Sequence, residues 1–149
     1  MQFDVLIIGA GPAGLSAAIR LQQLAQENHR PLSICILEKG AHVGAHLLSG
    51  AVLNPCSLKT LLPDTWEQAP LETPVTHDHF YWLSSRQAYK LPTPPQMRNR
   101  SHYIFRLGYL SEFLGKTAEA LGCEIYPSFS ATELVFDDRD AIIGVKTGP

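Results

Sequence analysis

No run of 18 apolar residues occurs in this chain, so nothing in it reads as a membrane-spanning helix. Cysteine is scarce: Cys35, Cys56 and Cys123 are three in number, far apart, and make no C-x-x-C pair. That spacing offers no metal ligand set and leaves structural or incidental roles, with Cys35 a small core residue inside a strand. Excess charge of one sign is missing too. The formal net charge is −2, and nothing points to nucleic acid. No His–carboxylate or Ser–His arrangement suggests acid–base or nucleophilic chemistry, so no catalytic side chain is assigned. Only Met1 to Asp4 precede the first apolar run, which leaves no room for a signal or transit peptide and makes a cytoplasmic start the natural expectation. Disorder is excluded by a hydrophobic content of 45%. At 149 residues the chain is long enough for one domain with a core.

What is present is concentrated near the start. The apolar strand Val5-Leu6-Ile7-Ile8 runs into Gly9-Ala10-Gly11-Pro12-Ala13-Gly14, and Leu15, Ala18, Ile19 and Leu21 then fall at helical spacing. A second apolar run, Ile34-Cys35-Ile36-Leu37, ends on Glu38. Strand, glycine turn, helix, strand and acid form the order of a dinucleotide-binding unit. Gly9 permits a tight turn out of the strand, Gly11 lets a pyrophosphate approach the backbone, and Gly14 lets the helix lie close on the sheet. Pro12 suits the first helical turn, where its missing N–H costs nothing. The free N–H groups and the positive end of the helix dipole would then face phosphates. Glu38 lies 24 residues beyond Gly14, near the usual spacing of about 20. Its carboxylate can accept from both ribose hydroxyls and would repel a 2′-phosphate, so FAD or NAD fits better than NADP.

Along the rest of the chain, residues 3–8 read as a buried parallel strand, 13–26 as a helix and 33–37 as the second strand. Gly40 to Pro55 reads as a long segment of small residues carrying His42 and His46. A short helix is expected from Asn54-Pro55 to Leu62, with Asn54 as its cap. Residues 63–102 read as a proline-rich antiparallel insert with short strands at Phe80-Tyr81-Trp82-Leu83 and Ala88-Tyr89-Lys90-Leu91; the Phe80-Tyr81-Trp82 cluster reads as core, the commoner place for strand aromatics, with a partner surface as the alternative. Tyr103-Ile104-Phe105 reads as a strand, Leu110 to Leu121 as a helix closing at Gly122, Cys123 to Tyr126 as a strand, and 131–146 as a hairpin around Asp137-Asp138-Arg139-Asp140. The expected fold class is α/β: a Rossmann-like FAD-binding βαβ unit with an inserted antiparallel β piece and a C-terminal β-hairpin. The run ends directly after a strand, which makes 1–149 the N-terminal part of an incomplete domain in this reading.

Several stretches carry a family resemblance. They are Asp4 to Ala18, Leu37-Glu38-Lys39-Gly40, Val43 to Pro55, Ala69-Pro70-Leu71 with Thr73-Pro74-Val75, Tyr103 to Gly108, and Ala118 to Pro127. In these the chain resembles the N-terminal third or so of the electron transfer flavoprotein–ubiquinone oxidoreductase family, within the FAD-binding glutathione-reductase-like superfamily. The glycine motif is shared by thousands of flavoproteins, whereas the stretch from Gly44 to Pro55 is far more specific. Pro127-Ser128-Phe129 and the ending Thr147-Gly148-Pro149 depart from the family's pattern.

The resemblance implies an oxidoreductase, a flavoprotein of electron transport, that takes electrons from reduced electron transfer flavoprotein through FAD and a [4Fe–4S] cluster to ubiquinone. The cluster, the quinone site and the contact with the membrane surface are expected in the part of such a protein that lies beyond this chain, which would be peripheral on the inner membrane. It further implies that Gly9, Ala10, Gly11, Pro12, Ala13, Gly14, Glu38 and Lys39 face the nucleotide, that His46 and Ser49 sit in the stretch beside the flavin ring, and that Arg106 can meet the pyrophosphate. Alternatives are a FixC-like or geranylgeranyl-reductase-like flavoenzyme, or a non-catalytic truncated fragment. The isolated chain is expected to bind FAD weakly and to pass no electrons to quinone.

Overall fold

The computed structural model describes residues 1–148 and, of Ser49, the backbone alone. In chain order the elements are β1 (Val5–Ile8), α1 (Pro12–Glu27), β2 (Ile34–Glu38), β3 (Ser49–Leu53), α2 (Cys56–Leu61), β4 (Thr73–Pro74), β5 (Phe80–Leu83), β6 (Ala88–Leu91), β7 (Tyr103–Arg106), α3 (Leu107–Ala120), β8 (Glu124–Pro127), β9 (Ser130–Phe136) and β10 (Ile142–Gly148). They form two compact units, Met1–Ser49 with Leu107–Pro149, and Gly50–Arg106. The second is wider than the 63–102 insert that the prolines suggest.

The first unit is built on a parallel sheet in the order β1-β2-β8. Val5 pairs with Ile34 and Ile8 with Leu37, while Cys35 pairs with Glu124 and Glu38 with Pro127. β2 lies in the middle, and Ile34, Cys35, Ile36 and Leu37 are all buried. α1 presents Leu15, Ala18, Ile19 and Gln22 inward, a stripe at helical spacing. Burying each large apolar side chain there contributes about 1.5–3 kcal/mol. α3 packs Leu110, Leu114 and Ala118 inward. At Gly115 it admits Val43, whose Cγ1 is 3.4 Å from where a Cβ would stand. α1 closes in a left-handed residue, His29 at φ 51, with the Arg30 N–H donating to the Ala25 carbonyl at 2.9 Å. α3 closes in the same way at Gly122 (φ 98), with the Cys123 N–H donating to the Ala118 carbonyl at 3.0 Å.

One expectation needs correction here. β1 is not a buried strand: Leu6 is 37% exposed and Ile8 54%. The run is apolar throughout, but β1 is an edge strand in the described sheet. Ile7 faces α1 at the Gly14 position, so by strand alternation Leu6 and Ile8 face the other way. β9 and β10 form the expected antiparallel hairpin. Its turn is held by Asp137, whose Oδ1 accepts from the N–H groups of Arg139 and Ala141 at 2.8 and 2.9 Å.

In the second unit β3, β7 and β4 make a three-stranded sheet, and β5–β6 is a separate hairpin. The N-cap of α2 is Pro55 and not the expected Asn54, which stands one residue earlier and accepts at its Oδ1 from the Cys56 N–H at 3.1 Å. The aromatic expectation also needs correction. Tyr81, Trp82 and Tyr89 are 47%, 65% and 51% exposed and are no part of a core. The hairpin is two strands wide, and its outer residues have nothing to pack beneath.

Ser111 on α3 is fully buried and its Oγ has no hydrogen-bond partner. An orphaned hydroxyl of this kind costs about 1–3 kcal/mol. Ser111→Ala is therefore expected to raise the midpoint of thermal unfolding by a few degrees, at about 2–4 °C per kcal/mol for a chain of this size. A fall in the midpoint would contradict the burial argument.

Candidate functional site

The turn after β1 departs from the strand at Gly9, whose φ of 100° is one that side-chain-bearing residues rarely adopt. The Gly9 N–H donates to the Leu37 carbonyl at 2.7 Å, which ties the turn to the end of β2. Gly11 is the N-cap of α1 with extended backbone (φ −81, ψ 174), and Pro12 opens the helix. The first intrahelical bond runs from the Leu15 N–H to the Gly11 carbonyl at 3.0 Å. Three donors are left over: the N–H groups of Gly11, Ala13 and Gly14 have no partner among the described residues. They sit at the positive end of a 16-residue helix, where an anion is stabilised.

The glycines differ in what surrounds them. A Cβ on Gly11 would meet nothing within 4 Å, so the turn is open on that side. A Cβ on Gly14 would run into the Gly9 carbonyl oxygen and lie 3.0 Å from Ile7 Cγ2. Gly14 is thus the point where helix and strand touch, and Gly11 the point where the backbone faces open space.

Glu38 reaches back from the end of β2 to this turn. Its Oε2 accepts from the Ala10 N–H at 2.9 Å and its Oε1 from the Gly40 N–H at 2.7 Å. Each carboxylate oxygen keeps a further lone pair for another donor. A diol beside the turn is the kind of group such a carboxylate can hold. Lys39, next along, is exposed.

The chain then passes through the loop at Gly44. Gly44 has φ 88, and a Cβ there would stand 2.6 Å from the Gly108 carbonyl oxygen in the first turn of α3. A Cβ on Gly108 would lie 3.2 Å from the Gly44 carbonyl oxygen. Two glycine backbones therefore cross in contact, a pairing that the spacing of 64 residues does not reveal. His42 and His46 are both exposed on this loop, and the side chain of Ser49 lies outside the described residues. Glycine turn, Glu38 and the Gly40–Leu47 loop follow the carboxyl ends of β1 and β2, the end of an open α/β sheet where ligands bind.

Arg106 ends β7 in the second unit, where its Nε lies 3.4 Å from Glu72 Oε1, both side chains being exposed. The cysteines have no part in this geometry. Burial, helped by the Glu124 carboxylate, pushes the Cys35 thiol above its ordinary value, and burial does the same for Cys123. Both stay protonated and behave as small core residues. Among the described residues no helix is long and apolar enough to cross a membrane.

Comparison with known proteins agrees with this geometry. The NAD(P)-binding Rossmann-like domain family matches residues 7–66. The chain is 49% identical over 147 residues to the mitochondrial electron transfer flavoprotein-ubiquinone oxidoreductase of Dictyostelium discoideum, which covers 98% of the chain and 24% of that protein. It is 51% identical over 154 residues to the electron transfer flavoprotein-ubiquinone oxidoreductase of Pseudomonas aeruginosa, covering 99% of the chain and 28% of that protein. The chain thus spans about a quarter of the length of the curated relatives it matches. Among solved structures, a geranylgeranyl bacteriochlorophyll reductase-like protein of Thermoplasma acidophilum superposes with a TM-score of 0.71 at 18% identity, covering 98% of the chain and 34% of that protein. A flavin-dependent monooxygenase solved with FAD and substrate gives 0.67 at 13% identity, covering 93% of the chain and 26% of that protein. These two likenesses show a shared fold.

Proposed function

We propose that this chain forms the FAD-binding portion of an oxidoreductase that accepts electrons from reduced electron transfer flavoprotein and delivers them to ubiquinone. The observation that carries the reading is the glycine turn. Three unpartnered N–H groups lie at a helix N-terminus, open space lies over Gly11, and a carboxylate from the neighbouring strand is bound to the same turn. The donor set fits a pyrophosphate and the acceptor fits a ribose. FAD, when bound, supplies the redox chemistry, and the residues present do the holding. The backbone of Gly9 to Gly14, including Ala10, Pro12 and Ala13, binds the nucleotide end with Glu38 and Lys39. His46 and Ser49 stand beside the flavin, and Arg106 offers a cation to the phosphates. Sequence identity near 50% to proteins named for this activity favours it over the geranylgeranyl-reductase-like alternative, to which the likeness is one of fold at 18% identity.

In this reading the [4Fe–4S] cluster belongs outside these 149 residues, since among the described residues no three Cys, His, Asp or Glu side chains gather into a group that could hold a metal. Contact with the membrane that dissolves ubiquinone is assigned here to the β5–β6 hairpin and not only to a part beyond this chain. Its exposed Trp82, Tyr81, Tyr89 and Leu83 are the residue types that settle at a membrane–water boundary.

The test is to purify the longer protein that contains this chain, measure retained flavin absorbance, and assay quinone reduction with reduced electron transfer flavoprotein as donor. Bound FAD and donor-dependent turnover are expected. A flavin-loaded protein that ignores this donor and reduces an isoprenoid double bond would select the alternative enzyme class.

A further inference from the structure

The hairpin that carries the exposed aromatics is also where the chain collects unpaired positive charge. Between Thr73 and His102 stand Arg86, Lys90, Arg98 and Arg100 against a single acid, Asp78, although the chain as a whole has net charge −2. The four cations are exposed, and none has an ion-pair partner among the described residues. The one acid is engaged: Asp78 Oδ2 accepts from the Asn99 backbone N–H at 2.9 Å and Oδ1 from its side-chain amide at 3.1 Å. That clamp joins the lead-in to β5 with the stretch that holds Arg98 and Arg100, so two cations stand at the base of the hairpin.

The strand register arranges the remainder. Phe80 pairs with Leu91 and Trp82 with Tyr89, which puts four apolar or aromatic side chains on one face. Tyr81 pairs with Lys90 on the other face, and the turn between the strands carries Arg86. A hairpin with aromatics on one face and cations at its turn, on its opposite face and at its base matches a surface that is apolar beneath and negatively charged above. That describes an anionic phospholipid leaflet. A neutral leaflet uses only the aromatics.

We infer that the β5–β6 hairpin prefers anionic phospholipid surfaces to neutral ones, with Arg86 and Lys90 meeting headgroup phosphates beside the aromatic contact. The inference rests on the membrane-facing role proposed above and adds the lipid class. Near an anionic surface each Lys or Arg strengthens binding by roughly fivefold. The attraction fades within a Debye length of about 8–10 Å at ordinary salt.

The test is sedimentation of the flavin-loaded protein with vesicles of phosphatidylcholine alone and with an equimolar mixture of phosphatidylcholine and phosphatidylglycerol. Tighter binding to the mixed vesicles is expected. A double variant, Arg86→Gln with Lys90→Gln, should lose up to about 25-fold on mixed vesicles and nothing on neutral ones. Raised salt should remove the same increment from the parent. Trp82→Ser should weaken binding to both. Equal binding of the parent to both vesicle kinds, still dependent on Trp82, would overturn the lipid preference and keep the membrane-facing role. A double variant that binds mixed vesicles as well as the parent would also overturn it. Binding to neither kind would overturn the membrane-facing role itself.

Discussion

A Gly11→Val protein is expected to fold as the parent does and to lose its flavin. The two halves of that result come from different observations. Gly11 is an N-cap with ordinary extended backbone angles, and a Cβ there meets no protein atom within 4 Å. Exchanging glycine for an apolar residue at an N-cap costs under about 1 kcal/mol. The open space that spares the fold is, however, the place proposed for the pyrophosphate. Branched carbons there would hold the phosphates away from the N–H groups of Gly11, Ala13 and Gly14. Hydrogen bonds to a charged group contribute about 1.5–3 kcal/mol each. Losing two of them weakens binding by roughly 100-fold or more. Purified variant protein should therefore be colourless, with an unfolding midpoint close to that of the flavin-free parent. Stoichiometric flavin in the variant would remove the phosphate role from this turn.

Gly14→Ala should do the opposite and damage the fold first. The added methyl strikes the Gly9 carbonyl oxygen and crowds Ile7 Cγ2 at 3.0 Å. One obstacle is backbone, and the other belongs to a strand fixed by its pairing with β2. Neither can rotate aside, so α1 must lift from the sheet. Overpacking of this kind costs about 1–3 kcal/mol and sometimes more. Alanine's better helix propensity returns about 1 kcal/mol. The clash wins because lifting the helix also loosens Leu15, Ala18 and Ile19, all of them fully buried. The unfolding midpoint should fall by several degrees, and flavin should be lost as a consequence of the moved helix. A variant as stable as the parent would show that helix and strand are not in contact at this point.

The contrast between these glycines could not be read from their spacing. The motif names three positions without saying which one faces open space and which one touches the strand. What the sequence made legible was local. The glycine turn, α1, β2 and Glu38 follow from hydrophobic period and turn chemistry, and the two hairpins follow from Ser84 to Gln87 and from Asp137 to Asp140. What stayed hidden depends on partners distant along the chain. β3 lies inside a glycine-rich stretch and is a strand because β7, some fifty residues later, pairs with it. Apolar character alone made β1 look buried and the β5–β6 aromatics look like core. Burial depends on whether another layer covers the strand, and nothing in a strand's own residues reports that. Glu38 was legible as the acid that ends β2, but its bonds to Ala10 and Gly40 were not.

Those two bonds bear on the timing of ligand capture. A loop that is loose when empty has to be ordered by its ligand, and arrival is slowed by the wait for a competent shape. Here the carboxylate of Glu38 braces the glycine turn from one side and the Gly40 amide from the other before any nucleotide comes. The ordering has already taken place when the chain folds. Encounter should then proceed at the pace of diffusion and orientation. Differences in nucleotide affinity among variants of this turn should accordingly be differences in residence time, with the rate of arrival nearly unchanged.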